Sequence, residues 1–309
     1  MKISVIIPTY NGAELLRLAL RSWEQQTLSK DEYEVIVVDN NSKEDIKSVV
    51  DSFGEQNFRY MLETEQGATA ARHKGAHLAN ADILLFADND GLYNPDCLKE
   101  VLLVYEDHPN VDAVTGKIQI QWDTEEPSWI KPYFYMLGKL DYGDKVKTEY
   151  GMHLNGGFMS VRKSVFERLG GFNPDLVGPY LIGDGDTGFV RKLHANNSLI
   201  GYTPFAFMQH LQQANKHGSI EGVALHCYND GVAESYALFR AHGFKMDGTV
   251  VKHFIKSGLL YMKKSIEHIL KPKNISVYFS QKRYKGNTGF FFLLCNSKLR
   301  RYILKEQVY

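Results

Sequence analysis

Short apolar runs alternate with helically spaced apolar positions along the first 120 residues. ISVII (3–7) has the length and branching of a buried strand, and Leu15, Leu16, Ala19, Leu20 and Trp23 then recur on one helical face. EVIVVD (34–39) is a second predicted strand, followed by a helix carrying Ile46, Val49, Val50 and Phe53. FRYMLE (58–63) is a weaker strand, and the Ala-rich stretch 67–80, led by Gly67, is helical. DILLFAD is the next strand. In NPDCLKEVLLVYED, Asn94 is the expected helix cap and Pro95 the first helical residue. VDAVTGKIQI (111–120) alternates as a further strand. This alternation predicts an α/β fold, a mostly parallel sheet with helices on both faces. Ligands of such sheets bind beyond the carboxyl ends of the strands.

After residue 120 the pattern changes. QWDTEEPSWIKPYFYMLGKLDYGD is aromatic and irregular, which points to a long functional loop rather than a linker. MHLNGGFMSVRKSVFERLGGF predicts a strand interrupted by glycines and then a short helix; glycine inside a strand lets a backbone or a ligand approach closely. LIGDGDTGFVRKLHANN leads into a helix with Phe189, Val190 and Leu193 inward, and SLIGYTPFAFMQH is a strand and extended run ending at His210. Residues 220–245 and 250–270 are predicted helices. The pattern therefore divides the chain into a globular domain, 1–212, and a mainly helical extension, 213–309.

Lys+Arg and Asp+Glu both total 36 among 309 residues, so the net charge is zero, but the signs are unevenly placed. From Val250 onward thirteen Lys and Arg face only Glu267 and Glu306. That excess, interleaved with Phe254, Ile255, Leu259, Leu260, Ile266 and Ile269, predicts contact with something anionic. Peripheral membrane contact suits it, as does packing against the acidic body of its own or a sister chain in a homo-oligomer. Nucleic acid is not expected, because no recognised binding module accompanies the charge. Cys97, Cys227 and Cys295 form neither a zinc pattern nor a disulfide framework, which fits a reducing cytosol. MKISVIIPTYNG is too short an apolar run for a signal peptide. The expectation is a cytoplasmic protein, free or at the inner face of the membrane.

Three predicted strands end on polar clusters: Pro8-Thr9-Tyr10-Asn11, Asp39-Asn40-Asn41 and Asp88-Asn89-Asp90. Asp88 and Asp90 repel each other unless a cation lies between them, although short D-x-D turns also occur without one. A dinucleotide-binding turn is excluded, because PTYNGAELL offers one glycine where that motif needs three. A nucleotidyltransferase would carry a Gly-rich, basic phosphate loop after the first strand, which PTYNGAELLR lacks.

SVIIPTYN, IVVDNNS, GATAARHKGAHLANAD, LLFADND, NGGFMSVRKSVFERLGGF, GDGDTGFVRKL and TPFAFMQH occur in the order found in family 2 glycosyltransferases, which this chain resembles from residue 1 to about 212. The resemblance implies the GT-A (nucleotide-diphospho-sugar transferase-like) fold and inverting sugar transfer. The expected donor is a UDP-sugar, and the expected acceptor is a glycan or a lipid-linked acceptor in cell-surface polysaccharide synthesis. It further implies Mn²⁺ or Mg²⁺, with Asp90 as direct ligand, Asp88 in the ribose or metal shell and His210 as third ligand. Pro8, Thr9, Tyr10, Asp39 and Asn41 match positions around the base and ribose, and Asp39 would accept the uracil imide N–H. Gly67 and Arg72 match the diphosphate segment, and Asn155, Gly156, Gly157 and Phe158 flank the donor sugar. The family usually carries Glu-Asp before its catalytic helix; here Gly185 stands in the Glu position. Asp186 is the expected base, with Asp184 as the alternative. Trp122, Trp129, Tyr133 and Tyr135 either stack on an acceptor sugar or simply pack. The missing Glu keeps a second reading open, a degenerate GT-A subunit that binds a nucleotide or partner without turnover.

Overall fold

A computed structural model describes residues 1–173 and 183–294. Among these, the chain forms two compact units. The first takes Met1–Asp123, Lys131–Asn173 and Gly185–Gln212; the second takes Thr124–Ile130, residues 183–184 and residues 213–294.

The first unit is built on one mixed sheet. Strands β1 (Ile3–Thr9), β2 (Tyr33–Asp39), β3 (Phe58–Leu62) and β4 (Ile83–Ala87) are mutually parallel, in the order β3-β2-β1-β4. β8 (Phe158–Arg162) runs antiparallel to β4 and to β6 (Ala113–Trp122). β6 lies parallel to β9 (Leu199–Gln212), on which β5 (Gly91–Tyr93) and β7 (Lys147–Tyr150) pair antiparallel. Parallel pairing thus holds in the first four strands and between β6 and β9. Apolar periodicity reports burial, not strand direction, so the antiparallel half was invisible to it.

Helices cover both faces. Ile3, Val5 and Ile7 of β1 face a core shared with α1 (Ala13–Glu24), α2 (Ile46–Asp51) and α4 (Cys97–Asp107). Ile6, with Ile36, Val38, Leu84 and Phe86, faces the core under α3 (Ala68–Leu78), α5 (Lys163–Arg168) and α6 (Gly185–Ala195). Burial on both sides explains why these strands are continuously apolar. Four of the predicted strands and the helices between them lie where the pattern put them.

Three local expectations are corrected. Helix α4 starts at Cys97, and Asn94 is not its cap. Instead Asn94 ties β9 down: its Oδ1 accepts from Phe207 N at 2.8 Å and its Nδ2 donates to Phe205 O at 2.9 Å. Gly156 and Gly157 precede β8 rather than interrupting it, in a tight turn closed by Phe158 N donating to Asn155 O at 3.0 Å. SLIGYTPFAFMQH is one strand rather than a strand and a tail.

The second unit is helical. α7 (Ile220–Ala241), α8 (Gly248–Leu270) and α9 (Ile275–Leu293) each begin on a side-chain cap, Ser219, Asp247 and Asn274. Val232, Tyr236, Phe239, Val250, Phe290 and Phe291 form its core. α7 and α9 touch backbone to backbone at glycines: a Cβ on Gly231 would lie 2.1 Å from Arg283 O, and one on Gly286 2.0 Å from Tyr228 O. The sequence reading found α7 and α8 but not α9, whose apolar residues keep no clean helical period. Lys298, Arg300, Arg301, Lys305, Glu306 and Cys295 lie outside the described residues.

One packing contact ties the fold to the polar edge described below. α3 lies close on β1 because residue 75 is glycine; a Cβ there would come within 2.4 Å of Ile6 Cγ2. Gly75→Val should therefore destabilise the protein by about 1–3 kcal/mol in urea titrations. Gly75→Ala should be relieved in part by Ile6→Ala, giving a non-additive double-mutant cycle, whereas additive effects would mean that α3 does not rest on Ile6.

Candidate active site

The carboxyl ends of β1, β2 and β4 meet at one edge, because Thr9 pairs with Asp39 and Ile6 with Phe86 in register. Thr9 is buried, and its Oγ1 has no hydrogen-bond partner. Pro8 is half-buried and Tyr10 is exposed. Asp39 is buried, its Oδ1 accepting from Ser42 N and its Oδ2 from the Tyr60 hydroxyl, both at 2.9 Å. Burial, with Asp39 beside it, pushes the Tyr60 phenol up to about 12. Asn41 is exposed, at φ 62°. Its neighbour Asn40 does more of the shaping: its Oδ1 accepts from Gly67 N at 2.8 Å, and its Nδ2 reaches Glu65 O. The β1–α1 turn is locked to the β2–α2 loop through Glu44, whose Oε2 accepts from Gly12 N at 3.1 Å and Ala13 N at 2.8 Å. Those are orphan donors at the start of α1, so the acid caps the helix from a distance.

Asp88 and Asp90 leave β4 on a tight turn into β5. Pairing of β5 with β9 sets Gly91 opposite His210, which delivers the imidazole to the carboxylates. Ligand atoms of Asp88, Asp90 and His210 lie within 4.8 Å of one another. His210 Nδ1 sits 2.9 Å from Leu137 O, and a carbonyl can only accept, so Nδ1 carries a proton. Nε2 then faces Asp90 Oδ1 at 3.4 Å, and that oxygen is shut off from solvent with no hydrogen-bond partner. Unless the ring is doubly protonated, two lone-pair atoms point at each other. Burial disfavours the imidazolium, but Asp90 and Asp88 outweigh it and move the His210 pKa up. Burial also raises Asp88, with Arg72 opposing and Asp90 adding to the rise. A cluster that draws protons in this way is chemically suited to a divalent cation, and two carboxylates with one imidazole form a donor set that Mn²⁺ accepts.

Arg72, on the first turns of α3, is 8% exposed and donates to Asp88 Oδ1 at 2.8 Å. Its guanidinium also lies 5.5 Å from the Phe172 ring centroid and reaches Gly156 O at 3.4 Å. Its Nε is buried without a partner. Gly157 lets Asp88 approach the next turn, since a Cβ there would sit 2.5 Å from Asp88 Oδ2. Asn155 Oδ1 holds that turn by accepting from Gly157 N at 2.8 Å. Tyr93 locks it from below: its hydroxyl donates to Gly157 O and accepts from Asp88 N. The Tyr93 ring stacks on Trp23 at 4.2 Å.

Asp186, in the first turn of α6, joins the same cluster. Its Oδ2 accepts from Gly156 N at 2.5 Å and its Oδ1 from Thr187 N at 2.8 Å. Gly185 just before it has φ 47°, a left-handed conformation that a Glu side chain would strain. Asp184 is buried and grouped with the second unit. The structure thus gathers Asp88, Asp90, His210, Arg72, Asp186 and the 155–157 turn, with Thr9, Asp39 and Gly67 along the same edge. Of the aromatics, Trp122 is buried with Phe134 6.3 Å away, Trp129 packs on Phe279, and Tyr135 is exposed. Tyr93 and the Leu137 carbonyl were missed by sequence reasoning. Tyr93 had one weak signal, an aromatic residue closely following D-x-D, and a backbone carbonyl has none.

The glycosyl transferase family 2 profile matches residues 4–170. An uncharacterized glycosyltransferase of Haemophilus influenzae is 29% identical over 76% of this chain and 75% of its own. A glucosyl-dolichyl phosphate glucuronosyltransferase of Haloferax volcanii is 29% identical over 56% of each chain. Among solved structures, S. aureus TarS 1-349 in complex with UDP aligns with a TM-score of 0.56 at 18% identity, covering 92% of this chain and 91% of that one. The mannosyltransferase PcManGT from Pyrobaculum calidifontis, in complex with GDP-Man and Mn²⁺, aligns at 0.58 and 18% identity, over 99% of this chain and 86% of the other. These structures share the GT-A fold with it. With the profile spanning more than half of the chain, the protein belongs to glycosyl transferase family 2 and is a glycosyltransferase.

Proposed function

We propose that this enzyme moves a sugar, with inversion, from a UDP-linked donor to a hydroxyl of a glycan or lipid-linked glycan in cell-surface polysaccharide assembly, using Mn²⁺. The observation that carries the reading is the facing pair His210 Nε2 and Asp90 Oδ1, 3.4 Å apart, with Asp88 beside them. Asp90, His210 and Asp88 would hold the cation, which when bound supplies Lewis-acid neutralisation of the diphosphate. The unpartnered Nε–H of Arg72 supports an anion beside Asp88, because a buried guanidinium N–H without an acceptor is costly. Pro8, Thr9, Tyr10 and Asp39 would take the nucleoside: the Asp39 oxygens each keep a lone pair for an imide N–H, and the Thr9 hydroxyl gains a partner. Gly67 would border the diphosphate.

Asp186 is the proposed base. Two backbone N–H groups fix its carboxylate in one orientation while leaving lone pairs free. It takes the proton of the acceptor hydroxyl as that oxygen bonds to the anomeric carbon. The bond from that carbon to the diphosphate oxygen breaks, and the leaving charge faces Arg72. The names of TarS with UDP and of the dolichyl-phosphate enzyme support donor and acceptor class. A thermal-shift panel of nucleotide sugars with Mn²⁺ tests the donor: UDP-sugars should raise Tm and GDP-sugars should not.

Asp90→Ala should abolish Mn²⁺ binding to the free protein in titration calorimetry, and His210→Ala should weaken it. Unchanged affinity in Asp90→Ala would remove the metal assignment.

Asp186→Asn keeps size and hydrogen bonding but loses basicity. Transfer should fall about 10²–10⁴-fold while donor affinity persists. If Asp184→Asn proves the more severe change, the base is Asp184.

Arg72→Met strands the Asp88 carboxylate beside Asp90 and Asp186. Since Asp88 is partly exposed, the expected loss is about 1–3 kcal/mol at neutral pH. Without Arg72 the folded Asp88 pKa rises further above the unfolded value. The deficit should therefore be full at neutral pH and shrink as acid protonates the carboxyl; a loss that does not vary with pH would contradict this.

A further inference from the structure

We propose that α8 docks the protein on an anionic lipid surface. One side of this 23-residue helix faces its own unit, where Val250 and Ser257 are buried. On the other side Ile255, Leu259, Met262, Ile266 and Ile269 recur in steps of four and three residues, with Leu270 beside them. All six side chains are more than half exposed. At 100° per residue they form one continuous stripe. Lys252, Lys256 and Lys263 are exposed and run along one flank of it, and Lys271 and Lys273 follow at its end. Glu267 is the single acid of residues 250–294 and already holds Lys264 at 2.8 Å.

The occupant must therefore be apolar under the stripe and negative beside it. A second copy seated on the same stripe would bring one lysine flank toward another with no acid to answer it. An acidic soluble partner would answer the lysines alone. An anionic leaflet matches both, with acyl chains under the stripe and headgroups against the lysines. No described helix is long and apolar enough to cross a membrane, so α8 would lie on the surface rather than span it.

The test is flotation of the full chain with phosphatidylcholine vesicles, with and without phosphatidylglycerol, across a salt series, alongside light scattering for mass. Wild type should float with the anionic vesicles and release as salt rises. Lys256→Gln with Lys263→Gln should weaken binding by roughly fivefold per lysine. Leu259→Gln with Ile266→Gln should weaken it on the order of tenfold per residue, at unchanged helical content by circular dichroism. Two results would overturn the proposal. One is undiminished flotation of the stripe variant, which would assign lipid binding to another segment. The other is a wild type that never floats, whether or not the stripe variant splits a dimer into monomers.

Discussion

The ion pair between Arg72 and Asp88, 2.8 Å long, is the interaction on which the polar edge depends. Asp88 lies near Asp90 and feels Asp186 as well, so three carboxylates share a partly buried corner. The guanidinium is what the fold itself supplies against that charge. Placing it requires α3 to sit low on the sheet, hence Gly75, and the 155–157 turn to close over Asp88, hence Gly157. Tyr93 then joins the two sides, holding Gly157 O and Asp88 N through one hydroxyl. Gly157 and Tyr93 are explained by how near they come to Asp88, and Gly75 by how near α3 comes to Ile6.

Compensation by Arg72 alone is incomplete. Asp88 and His210 are both displaced toward binding protons, and Asp90 Oδ1 has no donor. Charge left unanswered in this way is what makes the corner chemically suited to the cation of the proposed function. The His210 Nδ1–H is fixed by a backbone carbonyl, which leaves Nε2 facing Asp90 Oδ1.

Most of the first unit's central strands were legible because burial on both faces makes them apolar without interruption, as in ISVII and ILLF. β5 and β7 were not, since segments of three and four residues carry no period. That omission matters: β5 is the strand that sets Gly91 against His210, so sequence named Asp88, Asp90 and His210 as metal-ligand candidates without showing what joins them. Asp88, Asp90 and Asp39 were legible as polar residues at strand ends, and Arg72 only through the family resemblance. Asn94 was misread for a general reason. Its side chain suits a helix cap and a backbone tether equally, and only the position of β9 decides between them.

In the second unit, composition was legible and geometry was not. The apolar residues between Phe254 and Leu294 looked like one population interleaved with bases. Three dimensions divide them. Phe290 and Phe291 close the core against Tyr236 and Phe239, while Ile255, Leu259, Ile266 and Ile269 face outward. The outward set keeps a regular alternation of four- and three-residue steps, whereas the inward set follows the needs of a core in which α7 and α9 approach through Gly231 and Gly286. Core packing alone therefore does not account for the regularity of the outer stripe. Among the described residues nothing covers this second apolar face or answers the row of lysines in register with it, and that order is the basis of the proposed lipid contact.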